Sequence, residues 1–276
     1  MTFKCIEFPG NEFGTKEDMF KALKANEDKL ISLKKAQVYK SCDKNQISFL
    51  NVDMAKVSST VKANFEVKEG YIYPVISTTR YADSHHDVHF DNCFNRTVKH
   101  QQGKVYYALD HELKWNSILA WQKDVRMFVT PLDWALVGKN YVGQTEALVF
   151  EIAESKITKA DVLQAIKSRS SDFENSIRMS YDKIVLAVNS TDRDMAENKA
   201  YFDKNINLIA NQAEVMEQGY FWGVEELSIS KEGSLVVAGG SNDATSIITM
   251  EPAKSTSEIM DSLKDTPRKS FYSLFN

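Results

Sequence analysis

Cysteine is scarce in this chain. Three cysteines occur among the 276 residues, at positions 5, 42 and 93, and no two of them share a CxxC spacing. An odd number of cysteines without that spacing argues against a disulfide framework and against a thiolate zinc site. We therefore expect a protein that is made and used in a reducing compartment.

The sequence also lacks an excess of basic charge and a long apolar run. Its 34 Lys and Arg against 38 Asp and Glu give a formal net charge of -4, which is not the basic footprint of a nucleic-acid-binding domain. No apolar run approaches the roughly 20 residues of a membrane-spanning helix. The first residues, MTFKCIEFPGNEF, have no apolar core of the signal-peptide kind. We expect neither nucleic acid nor a membrane as a partner.

Motifs for nucleotide binding and lipase chemistry are missing as well. Neither GxxxxGK[ST], GxGxxG nor GxSxG occurs, so these three kinds of site are not indicated, and we predict no cofactor. What is present is an ordinary globular composition, with 43% hydrophobic and 26% charged residues. That composition supplies enough apolar material for a sizeable core.

Helices are predicted where a threonine N-cap precedes an amphipathic stretch. Thr15, with Asp18 three residues later, begins one helix in TKEDMFKALKANEDKLISLKK, and Thr158 with Asp161 begins another in ITKADVLQAIKS. We also predict a short helix in DNCFNRTVKH and a long polar helix from about 194 to 217. Gly219 ends that long helix, since glycine is a natural C-terminal stop.

Strands are predicted where apolar and polar residues alternate. The segments are ISFLNV, ANFEVKEGYIYPVIS, KVYYAL, ILAWQKDVRMFVT, TEALVFEI and NSIRMSYDKIVLAVN, followed by YFWGVEELSISKEGSLVVAGGS as two strands or one bent strand. The predicted fold class is α+β, with a strongly curved, mostly antiparallel β-sheet or barrel core and peripheral helices. We divide the chain into an N-terminal helix and strand extension (1–60), a main domain (61–250) and a flexible C-terminal tail (251–276).

Three of the five histidines cluster in SHHDVHF, at His85, His86 and His89. Two histidines four residues apart on a helix can chelate zinc. This segment has no helix start signal and lacks the glutamate of HExxH, so we predict no metal site here but a polar loop with exposed histidines that enters a strand. A metal-dependent hydrolase that uses these histidines is the less favoured alternative.

A fourth histidine, His111, follows a predicted strand in YYALDHELKW. A strand end can expose an imidazole in a cleft, but a histidine between Asp110 and Glu112 is more often an ordinary surface residue. A catalytic base needs a nucleophile whose proton it accepts and a group that orients it. Serines are plentiful in this chain, and sequence spacing selects none of them.

Four segments of the chain, in order, resemble the prohead maturation proteases of tailed bacteriophages, which share a fold and serine-protease chemistry with herpesvirus assemblins. DSHHDVHFDNCF (83–94) resembles the family's D-x-x-G-D-V-I-x-P-x-A-F, and LDH (109–111) resembles its L-x-D-H. SIRM (176–179) resembles S-I-G-F, and SKEGSLVVAGGSNDAT (230–245) resembles L-x-E-V-S-L-V followed by P-A-N-P-x-A. The resemblance covers roughly 75 to 245.

The resemblance implies a serine endopeptidase that cleaves scaffold and capsid proteins, and itself, during prohead maturation. It implies Ser176 as the nucleophile, His111 as the general base and Glu232 as the acid that orients the imidazole. Glu226 is the alternative third member, because one register error in the last strand exchanges the two glutamates. Asp110 is a further candidate, although adjacent side chains on a strand point to opposite faces.

The chain departs from the family pattern in two places. Arg178 replaces a small residue after the serine and is a candidate source of positive charge, and the long predicted helix leaves the third catalytic residue open. The implied partners are the major capsid protein and scaffold, with self-association as a further interaction, inside the assembling prohead in the host cytoplasm. The main alternative is a non-catalytic capsid-assembly or scaffolding protein with the same fold.

Overall fold

The computed structural model describes residues 2–36, 64–237 and 240–250. Within these ranges the helices are α1 (Lys16–Ala25), α2 (Glu27–Ala36), α3 (Asn95–Gln101), α4 (Ala160–Arg169), α5 (Ala196–Asn205) and α6 (Gln212–Gln218). The strands are β1 (Tyr71–Thr78), β2 (Asp87–His89), β3 (Tyr106–Leu109), β4 (Ile118–Ala120), β5 (Arg126–Asp133), β6 (Gln144–Ala153), β7 (Glu174–Val188), β8 (Tyr220–Val236) and β9 (Ser246–Thr249). The predicted strand ISFLNV and the predicted tail 251–276 lie outside the described residues.

The strands form two sheets. The first has the order β5-β6-β1-β9, and all its neighbouring strands are antiparallel. The second is built around the 17-residue strand β8, which pairs antiparallel with β7 and parallel with β2 and β3, while β4 pairs antiparallel with β3. The α+β class with mostly antiparallel sheets is confirmed. Among the described residues neither sheet closes into a barrel, and in the first sheet the end strands β5 and β9 do not pair with each other.

The two sheets pack against each other through apolar side chains at Gly233 of β8. A Cβ atom added there would lie 2.9 Å from Cε2 of Phe150 and 3.1 Å from Cγ2 of Ile76, so only glycine lets the first sheet pack this close to the backbone. Side chains alternate along a strand. Glu232 and Ser234, on either side of Gly233, therefore point to the opposite face of the sheet.

The long strand β7 shows the same alternation. Ile177, Met179 and Tyr181 are all buried in the main core, as their spacing predicts. Ser176 and Arg178 alternate with them and so belong to the other face. The sequence pattern alone thus separates the core face of this strand from the face that carries the candidate site.

The N-terminal helices are part of the same core. The predicted N-cap is confirmed, since Thr15 Oγ1 accepts a hydrogen bond from the backbone N–H of Asp18 at 3.1 Å. The single helix predicted after Thr15 is two helices, because Asn26 interrupts it and its side-chain amide donates to the carbonyl of Ala22 at 2.9 Å. The buried apolar residues of these helices are Met19, Phe20, Leu23 and Leu30.

Two helix predictions are wrong in detail. Thr158 does not cap α4: its hydroxyl donates instead to the carbonyl of Ile118 at 2.5 Å, and the helix begins at Ala160. The long helix predicted for 194–217 is split into α5 and α6. Asn211 between them exchanges two hydrogen bonds with the backbone of Ala82, at 2.9 and 3.0 Å, and this tertiary contact holds the chain in a turn.

The other boundaries follow local signals. Gly219 adopts a left-handed conformation with φ 84° and ends α6, as predicted. The strand predicted from ANFEVKEGYIYPVIS begins only at Tyr71, after Gly70 with φ 75°, and the helix predicted in DNCFNRTVKH begins at Asn95. The segment from Tyr220 is one continuous strand. No helix in the described ranges is both long and apolar enough to span a membrane.

Candidate active site

The segments that begin at Asp83, Leu109, Ser176 and Ser230 contribute to strands that meet at β8. Ser234 on β8 has Ala108 of β3 and Ser176 of β7 as its register partners on either side. Residues at the same register position present their side chains on the same face of a sheet. Ser176, which is 4% exposed, therefore lies beside Ser234 on the face that points away from the sheet–sheet core.

The turn after β3 brings His111 back over this face. Asp110 and His111 both lie in the left-handed region, with φ values of 48° and 59°. Backbone hydrogen bonds hold the turn: Asp110 donates to the carbonyl of Leu235 at 3.0 Å, and His111 donates to Ser234 Oγ at 3.1 Å. Non-glycine residues in this region cost free energy and cluster at functional sites. Here the turn directs the imidazole toward β8.

The imidazole of His111 contacts a buried carboxylate. Nδ1 of His111 lies 2.8 Å from Oε1 of Glu232. The side chain of Glu232 has no exposed surface, and that of His111 is 12% exposed. A carboxylate at Nδ1 favours the tautomer that carries its proton there, so Nε2 keeps the lone pair that a general base needs.

Ser234 supports both members of this pair. Its hydroxyl donates to Oε2 of Glu232 at 2.5 Å and accepts the backbone N–H of His111. Both oxygens of the Glu232 carboxylate are thus engaged. Sequence reasoning missed Ser234, although its position two residues beyond Glu232 on one strand indicates that the two side chains share a face.

Arg178 balances the buried negative charge. Its Nε lies 3.2 Å from Oε1 of Glu232, and its Nη2 donates to the carbonyl of His111 at 2.5 Å. A buried carboxylate is costly unless a cation compensates it. Arg178 therefore neutralises Glu232 and holds the His111 turn at the same time. The sequence pointed to positive charge at this position but not to either contact.

Among the acids considered for the third catalytic position, Glu232 is the one that contacts the imidazole. Glu226 lies six residues earlier on β8 and forms an ion pair with Arg96 at 3.2 Å, where its side chain is 41% exposed. The side chain of Asp110 is exposed. The register of β8 thus places Glu232, and not Glu226, beside His111.

The histidine-rich segment takes no part in this arrangement. His85 and His86 lie in the predicted loop, but His89 is a buried residue of β2 and its Nδ1 lies 3.3 Å from Ser77 Oγ, so the prediction of exposed histidines was wrong. Burial lowers the pKa of His86 below its ordinary value, and the nearby carboxylate of Glu7 only partly offsets that effect. In the ranges that the structure describes, no group of three or more His, Cys, Asp or Glu could hold a metal ion.

The fold and this site define an α+β protein with a histidine–carboxylate pair next to a serine-bearing strand. No protein-family model matches the chain, and comparisons with curated proteins and with solved structures give no significant match. The evidence for the chemistry of this site is therefore the geometry of its own residues.

Proposed function

We propose that this protein is a serine endopeptidase with Ser176 as nucleophile, His111 as general base and Glu232 as the acid that orients the imidazole. The observation that carries the proposal is the 2.8 Å contact between His111 Nδ1 and Glu232 Oε1. In a catalytic triad, a buried carboxylate holds the histidine in one tautomer. Chance contacts between side chains at a protein surface do not supply this arrangement. The adjacent strand then provides the serine.

In this mechanism Ser176 Oγ attacks the carbonyl carbon of the scissile peptide bond while Nε2 of His111 takes the hydroxyl proton. The tetrahedral intermediate collapses, and the same imidazole gives the proton to the leaving amine. Water then enters, loses a proton to His111 and attacks the acyl-enzyme ester, which releases the new carboxyl terminus and returns the proton to Ser176.

Glu232 and Arg178 have distinct roles in this scheme. Glu232 stabilises the imidazolium that forms when His111 takes the proton, without itself becoming protonated. Arg178 is a positioning residue, since its contacts are to the Glu232 carboxylate and to the His111 backbone. Its charge lies 3.2 Å from the buried carboxylate, and its hydrogen bond fixes the turn that carries the base.

We further propose the biological setting of the phage prohead proteases. The support is the order of the four resembling segments, together with the fact that three of the strands they enter, β2, β3 and β7, all pair with β8. On this proposal the two sheets correspond to the strongly curved assemblin-like core. The substrates are scaffold and capsid proteins, and the protein itself, within the assembling prohead in the host cytoplasm.

One observation favours the second candidate, a non-catalytic capsid-assembly or scaffolding protein with the same fold. Ser176 is 4% exposed, and a nucleophile must be reached by a substrate carbonyl. The two candidates differ in a direct way: only the enzyme forms a covalent adduct at Ser176 that depends on His111.

The test is co-expression of the full chain with candidate capsid and scaffold substrate proteins. We expect wild type to process them, Ser176→Ala and His111→Ala to abolish processing, and Ser180→Ala, on the same strand, to retain it. Purified wild type should also react with a fluorophosphonate, with the adduct mapped to Ser176 by mass spectrometry and lost in His111→Ala. Processing that persists in Ser176→Ala would overturn the serine-protease proposal.

A further inference from the structure

An open groove of about 220 Å³ begins beside the candidate active site. Its walls come from α4, from the segment before β7 and from the end of β8. The apolar lining includes Leu109, Val162, Ala165, Phe173, Leu235 and Val236. Sites for whole small molecules are typically about 300–1,000 Å³, so this groove has the size for one long side chain.

The groove is continuous with the candidate catalytic residues. Asp110 lies at its rim and is the residue before His111, while Val236 is two residues beyond Ser234 on β8. Two residues of a strand span about 7 Å. Val236 shares the face of Ser234, whereas Leu109 and Leu235 face the core, so the groove spans the ends of β3 and β8. A polypeptide with a carbonyl at Ser176 would bring a neighbouring side chain to the Val236 side of the groove.

Two carboxylates give the groove a charge preference. Asp110 and Asp161 line it, both are exposed, and neither forms an ion pair within the described ranges. The other lining residues are apolar. A side chain with an aliphatic stem and a cationic end matches both the apolar lining and the two carboxylates. Its stem contacts the apolar floor, and its charged head stays near the acids in water.

We infer that this groove binds a lysine or arginine side chain of the substrate polypeptide next to the scissile bond. The inference rests on the proposed function and deepens it by naming a substrate class, polypeptide segments with a basic residue at the cleavage site. Asp110 and Asp161 are then specificity residues, and Ala165 leaves the space that the aliphatic stem occupies.

The first test measures binding without cleavage. Full-length Ser176→Ala protein is titrated with three fluorescent peptide pools that have a fixed central lysine, norleucine or glutamate and randomised flanks. We expect the lysine pool to bind about tenfold more tightly than the norleucine pool, since two exposed carboxylates each contribute a modest attraction. The glutamate pool should bind most weakly.

Variants in the Ser176→Ala background locate the binding site. Asp110→Asn with Asp161→Asn should bring the lysine preference over norleucine close to onefold, and Ala165→Phe should weaken both pools. The matched controls are Glu197→Gln, an acid in the first turn of another helix, and Gln164→Phe on the exposed face of α4. Both controls should keep the preference. Equal affinity for the lysine and glutamate pools would overturn the inference.

The second test separates this inference from the proposed function. Wild-type protein digests a mixed peptide library, and the products are sequenced by mass spectrometry with Ser176→Ala as the blank. Cleavage next to lysine or arginine that depends on Ser176 supports both claims. Ser176-dependent cleavage without a basic preference overturns the groove inference alone. A lysine preference in binding without any cleavage supports the groove and overturns the protease proposal.

Discussion

The imidazole of His111 and the carboxylate of Glu232 are 121 residues apart in the chain and 2.8 Å apart in the fold. Parallel pairing of β3 with β8 creates this contact, because it places Ala108 opposite Ser234 and the end of β3 beside the end of β8. The left-handed turn at Asp110 and His111 then reverses the chain over β8. The contact is therefore a product of strand register and one turn.

Replacing Glu232 with glutamine tests that contact directly. The change keeps size and removes the charge that stabilises the imidazolium and selects its tautomer, so we expect kcat/KM for a processed substrate to fall by about 10²–10⁴. Glu226→Gln, on the same strand but paired with Arg96, should stay within about twofold of wild type. A larger loss in Glu226→Gln than in Glu232→Gln would show that the acid has been assigned wrongly.

The buried pair of Arg178 and Glu232 should show a strong energetic coupling in the free energy of unfolding. Arg178→Met leaves Glu232 without its positive partner, and Glu232→Gln leaves Arg178 without its negative partner. We expect each single variant to lower the free energy of unfolding by about 3 kcal/mol. The double variant should cost clearly less than the sum. Urea denaturation of all four proteins measures this. The surface pair of Lys199 and Asp203, whose side chains are 30% and 58% exposed, serves as control with a coupling of about 0.3–0.5 kcal/mol. Additive losses at Arg178 and Glu232 would contradict the prediction.

Gly233 should be intolerant of even one added methyl group. Its Cβ would meet the ring of Phe150 at 2.9 Å in the closely packed space between the sheets, so we expect Gly233→Ala to destabilise the protein by about 1–3 kcal/mol. Gly10→Ala, where a Cβ would meet nothing within 4 Å, is the matched control. Urea midpoints give the comparison, and Phe150→Leu should recover part of the loss in the Gly233→Ala background. Equal midpoints for the two alanine variants would refute this account of sheet packing.

The lowered pKa of His86 predicts a loss of stability in mild acid. Burial disfavours the charged imidazole in the native state, so below the ordinary pKa of about 6.5 the unfolded chain binds a proton that native His86 does not. The free energy of unfolding then falls as pH drops through 6.5 toward the lower native pKa of this group. The measurement is urea denaturation between about pH 7.5 and about pH 5.5.

The variant His86→Asn isolates this contribution. Asparagine tolerates the positive φ of 56° at this position and does not titrate, so the loss of stability between the two pH values should be smaller than in wild type. An unchanged pH dependence in the variant would mean that His86 does not carry the effect.

Several parts of the molecule were predictable from the sequence because their causes are local. The Thr15 cap, the Gly219 helix end and the apolar alternation of β7 each depend on residues a few positions apart. Thr158 shows where such reasoning stops. Its hydroxyl could have capped the helix that follows, as the sequence predicted. In the fold it donates a hydrogen bond to the carbonyl of Ile118 instead.

The sequence by itself determined the class of the fold and the faces of its long strands, and it pointed to His111, Ser176 and Glu232 as candidate site residues. Only the tertiary structure decided that Glu232 and not Glu226 meets His111, that Arg178 neutralises the pair, and that the sheets stay open. The physical reason is that strand register and sheet closure depend on contacts between residues far apart in the chain, which spacing along the sequence does not encode.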